Sequence, residues 1–94
     1  MESSRDAFNR ETKLGFLKMS KISPVSYKTL SRVFKLAGFN FIRQKGDHLI
    51  YAKKGIFRPI IIPMYDEIPV FIIKNNLRSG KISRNKYFKL LRRM

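Results

Sequence analysis

The chain reads as an α+β sandwich: a helix, a three-stranded antiparallel sheet and C-terminal helices, with one face of the sheet buried against the helices. Three observations predict this. Apolar residues recur at three- and four-residue steps between Ser26 and Gly38. Aromatic and β-branched runs broken by Gly turns occupy the stretch from Phe39 to Ile62, and a helical period returns after Ser83. At 94 residues the chain has room for one modest core and no second domain.

Residues 1–20 scatter Ala7, Phe8, Leu14, Phe16 and Leu17 among charges without a clean period. They read as an N-terminal extension, at most a frayed helix up to Gly15, preceding a domain at 21–94. Ser23-Pro24-Val25-Ser26 is a helix start, because a serine hydroxyl accepts from the first free amides. Tyr27, Leu30, Val33, Phe34 and Ala37 then form one stripe, with Lys28, Arg32 and Lys35 outside it, and Gly38 takes the left-handed capping position.

The run from Phe39 to Gln44 alternates as a strand, Lys45-Gly46-Asp47 is a short hairpin turn, and His48 to Lys53 is the returning strand. Period two puts His48, Ile50 and Ala52 on one face, Leu49, Tyr51 and Lys53 on the other, with His48 beside the turn and open to solvent. Lys54-Gly55 is a second turn. Phe57 to Ile62 is a third strand, whose Pro59 argues for an edge or a strand start and which Pro63 terminates. Met64 to Pro69 is a loop. Val70 to Arg78 fits both strand and helix, and Pro69 and Gly80 favour helix. Ser83 caps a last, cationic helix from Arg84 to Arg93. Tyr27, Phe34, Phe39, Phe41, Phe71 and Phe88 are expected in the core rather than as stacking platforms for bases.

The net charge is +15, carried almost entirely after the extension: residues 1–20 hold four Lys/Arg against three acids, residues 21–94 seventeen against three. Such a field favours a polyanion, and nucleic acid first, because phosphate contacts release counterions. A membrane surface or an acidic protein is the competing partner. With no cysteine, disulfides and thiolate chemistry are excluded. No apolar run approaches the roughly 20 residues of a membrane span, and the polar start is unlike a signal peptide, so a cytoplasmic protein is expected.

Six acids, of which only Asp66 and Glu67 adjoin, are a poor basis for a two-metal nuclease. RNA offers a route that needs no metal or cofactor: its 2′-hydroxyl attacks the neighbouring phosphate once a base takes the proton, and imidazole titrates in the right range. His48, the single histidine, is the candidate base. Arg43 and Lys45 on the same hairpin are candidates to neutralise phosphate charge, Gly46 to let a phosphate approach the backbone, and Lys53 to extend the RNA-binding surface. Tyr65 is a loop residue that could reach the site. The rival reading is a basic RNA-binding module of the same fold that does not cut.

The stretch from Ser26 to Ile62 resembles the HicA-type (YcfA-like) toxins, small mRNA interferases of type II toxin–antitoxin pairs, and the resemblance covers most of residues 22–92. The residues that carry the resemblance are Leu36-Ala37-Gly38-Phe39 closing a helix, Arg43-Gln44-Lys45-Gly46-Asp47-His48, Ile61-Ile62-Pro63, and Leu77-Arg78 followed by Ile82-Ser83. The resemblance implies a double-stranded-RNA-binding-domain-like sandwich, cleavage of mRNA by the histidine after the Gly turn, here His48, and a HicB-type antitoxin that covers the site within an oligomeric complex. Many members carry Ser where Asp47 stands, and His shortly after the third-strand Pro, where Met64 and Tyr65 stand here.

Overall fold

A computed structural model describes residues 21–94; the expected extension at 1–20 lies outside the described residues. The first helix, α1, spans Tyr27–Leu36, and the Ser26 hydroxyl accepts from the Thr29 N–H. Its stripe works as the spacing predicts, with Leu30, Val33 and Phe34 buried and Lys28, Arg32 and Lys35 left outside. Gly38, at φ +97°, turns the chain out of the helix. The Gly38 N–H then donates to Lys35 O and the Phe39 N–H to Phe34 O, while the Phe34 and Phe39 rings meet edge to face at 5.1 Å. That pairing of crossed hydrogen bonds with an apolar contact across them is the Schellman cap.

Three antiparallel strands follow in the order β1-β2-β3: β1 at Asn40–Lys45, β2 at His48–Ala52 and β3 at Ile60–Pro63. Lys45 belongs to the ladder, so the hairpin turn is two residues, Gly46-Asp47, rather than three. Gly46 has φ +60° and Asp47 does not share it, the pattern of a II′ hairpin with glycine first. The third strand begins at Ile60, not Phe57. Pro59 has no N–H for a ladder, and Phe57 stands 96% exposed in the loop before it. Pro63 is the last rung, opposite His48, rather than a stop after the strand.

The ambiguous segment is a helix, α2 at Val70–Ser79, and the last helix, α3, is Arg84–Arg92 with the Ser83 hydroxyl accepting from the Lys86 N–H. Burial of Ile73, Asn76 and Leu77 settles the period of α2 at 3.6. Leu49, Tyr51, Ile60 and Ile62 face the helices, and one core joins them to Phe34, Ile73, Leu77, Tyr87 and Leu90. The architecture is therefore the expected α+β sandwich, with the other face of the sheet left open among the described residues. Phe41 and Phe71, expected in the core, are 50% and 65% exposed. Phe41 sits on the helix-facing row, edge to face with Tyr51, but β1 is an edge strand and every one of its residues is exposed.

Candidate active site

A single extra residue in β1 decides which side chains join His48. Phe41 pairs with Tyr51, so a regular ladder would next bring Arg43 opposite Leu49, on the helix side. The two-residue turn requires instead that Lys45 pair with His48, one residue out of step. Ile42 absorbs the difference as a bulge, and Arg43 pairs with Ile50. Directly paired residues share a face, so Arg43, Lys45 and His48 all lie on the open side of the sheet.

His48 is half-exposed, and its Nδ1 lies 3.0 Å from Asp47 Oδ1. In the neutral ring Nδ1–H donates to that carboxylate, which leaves the Nε2 lone pair free to accept a proton. Asp47 is itself pinned through its backbone: the Met64 N–H donates to Asp47 O at 2.8 Å. The Tyr27 N–H donates to Tyr65 O, and the Ile68 N–H to Val25 O, so the loop after β3 is tied to the start of α1 as well. Tyr65, 45% exposed, thus belongs to the loop beside the Asp47-His48 step.

Of the remaining candidates, Gly46 takes φ +60° in the hairpin turn, and a Cβ added there would meet nothing within 4 Å. Lys53 is not at this site. It lies five residues along from His48, about 16 Å at the usual strand rise, and its ammonium donates to Ala37 O at the end of α1 while standing over the Phe39 ring. Among the described residues no group of three or more histidine and carboxylate side chains comes together in a way that could hold a metal ion.

The model of the family described as "HicA toxin of bacterial toxin-antitoxin" matches residues 27–82, from the first residue of α1 past the end of α2. The chain belongs to the HicA toxin family. No curated protein and no solved structure matches it. Membership places this HicA chain among the toxins of toxin–antitoxin systems, and the match contains the whole hairpin with His48 and its flanking cations. Among the described residues no helix is long and apolar enough to cross a membrane.

Two features of the HicA site were not read from the sequence. One is the contact of the Asp47 carboxylate with His48 Nδ1, signalled only by the adjacency of the two residues. The other is the bulge, for which the alternating letters of β1 carry no sign.

Proposed function

We propose that this HicA-family chain is a cytoplasmic endoribonuclease that cuts mRNA without a metal ion, with His48 as general base. The observation that carries this reading is the imidazole held by Asp47 on Nδ1, with Nε2 free and Lys45 directly across the ladder. Nε2 takes the proton of a ribose 2′-hydroxyl; the 2′-oxygen attacks the adjacent phosphorus; and the bond from phosphorus to the 5′-oxygen breaks. The products are a 2′,3′-cyclic phosphate and a 5′-hydroxyl, whose proton comes from the imidazolium, from water or from Tyr65. Arg43 and Lys45 offset the charge that builds on the phosphoryl oxygens. Residues 21–94 form the catalytic body and 1–20 an extension to it, and a HicB-type antitoxin neutralises the toxin by covering the open sheet face.

The test is incubation of the purified chain with end-labelled RNA in EDTA, followed by end-group analysis. Cyclic phosphate ends are expected, with no cut 3′ of a nucleotide whose 2′-hydroxyl has been removed. Products with 5′-phosphate ends, or activity that EDTA abolishes, would refute the mechanism. A second reading rests on Asp47, whose exposed carboxylate beside His48 would repel an incoming phosphate: a module that holds RNA uncut. Binding that falls steeply with salt, with RNA intact after long incubation, would favour it.

A further inference from the structure

A groove of about 370 Å³ runs between the outer side of α1 and the helix-facing side of β2, away from the open face that carries His48. Tyr27, Leu49 and Tyr51 give it apolar and aromatic walls, and Lys28, Arg32 and Lys35 line the α1 side. Ser31 also lines it. That residue is only 7% exposed, and its hydroxyl finds no hydrogen-bond partner among the described residues. A buried hydroxyl without a partner is a destabilising feature unless something supplies one. The three cations follow at i, i+4 and i+7, and no acid occurs between Tyr27 and Leu36 to balance them.

We propose that this groove accepts one unpaired base of a single-stranded RNA, the base lying against the tyrosines, its polar edge bonding Ser31 Oγ, and its flanking phosphates meeting Lys28, Arg32 and Lys35. Each component matches one part of a nucleotide: aromatic walls suit a π-face, a buried hydroxyl suits a donor-acceptor edge, and uncompensated cations suit phosphates. A duplex, whose bases are stacked inside, has nothing to insert. The inference rests on the RNA-cleaving reading and adds to it where the strand goes. Leu49 follows His48 directly, and the Tyr27 N–H is bonded to the loop whose next-door amide holds Asp47. One end of the groove therefore adjoins the end of the sheet where the backbone would be cut.

The test uses fluorescence anisotropy of the full chain with labelled 2′-O-methyl heptanucleotides, which have no free 2′-hydroxyl and cannot be cleaved, intact and with one abasic position moved along the strand. In wild type, one abasic position should weaken binding about tenfold while the others have little effect. In Ser31→Ala that penalty should shrink several-fold with the melting temperature unchanged or higher. Replacing Lys28, Arg32 and Lys35 together with Ala should weaken intact and abasic probes alike and flatten the salt slope by about 2, at roughly 0.7 per lost phosphate contact on a single strand. Equal binding of all abasic probes, with RNA still bound and cut, would overturn the groove alone. Absence of any RNA binding would remove the enzymatic reading with it. A triple variant that keeps its RNA affinity but escapes an acidic protein antitoxin would make the groove a protein surface and overturn the proposal.

Discussion

Replacing Asp47 with Asn separates two opposed effects of one carboxylate. The contact to His48 Nδ1 is 3.0 Å long, and both groups are well exposed, so water-like screening applies. Exposed ion pairs contribute about 0.2–1 kcal/mol, which bounds what the carboxylate adds to the imidazolium that forms as the 2′-proton is taken. Its loss should lower the single-turnover cleavage rate by at most about fivefold. The same carboxylate repels an incoming phosphate. At a separation of roughly 6 Å in water that repulsion is about 0.7 kcal/mol, so the Asn variant should bind RNA about threefold more tightly. Salt reduces both effects, and the assay belongs at low ionic strength. Slower cutting combined with tighter binding is the expected signature. Unchanged cleavage would refute the support that the Asp47 charge gives the imidazolium, and weaker binding would refute its repulsion of the phosphate.

Three further outcomes test the scaffold. Gly80→Ala should destabilise the domain by about 1–3 kcal/mol in denaturant titration, because the new Cβ would stand 2.9 Å from Phe34 Cε1 and 3.1 Å from Phe39 Cζ, inside a packed core. Lys81, at φ +56°, holds the left-handed position after α2 that glycine occupies at lower cost, so Lys81→Gly should gain about 0.5–1 kcal/mol and Lys81→Ala nothing comparable. Burial raises the Tyr87 pKa above its ordinary value, and its hydroxyl has no partner among the described residues. The unfolded tyrosine therefore ionises first, from about pH 10, and native stability falls above that pH by up to about 1.4 kcal/mol per unit until the folded pKa is passed. Tyr87→Phe should remove that part of the alkaline slope and leave stability at pH 7 equal or higher.

How far the sequence reveals this molecule depends on which interactions are local. The α1 helix is legible because its cap at Ser26, its stripe and its Gly38 exit are all encoded within a dozen or so residues. The α2 segment is not settled by its letters, since Val70-Phe71-Ile72-Ile73 suits either period; its burial against β3 decides. The start of β3 is set back to Ile60 by Pro59, a residue whose effect depends on where its neighbours pair. At the site, the lone histidine and the cations before it are evident from the chain. Their arrangement is not, because Arg43 and Lys45 reach the face of His48 only through the bulge at Ile42. That bulge reconciles a two-residue turn at one end of the hairpin with the Phe41–Tyr51 contact at the other. The place of Lys53 is set by a non-local contact as well: its ammonium donates to Ala37 O at the end of α1, away from His48.

The proposed reaction turns on one proton at one nitrogen. Single-turnover cleavage of labelled RNA by His48→Ala, measured beside its RNA affinity and its melting temperature, tests it most directly. A cleavage rate lower by about 10²–10⁴-fold is expected, with affinity and fold retained; a variant that cuts RNA as fast as the wild type would rule out His48 as the base.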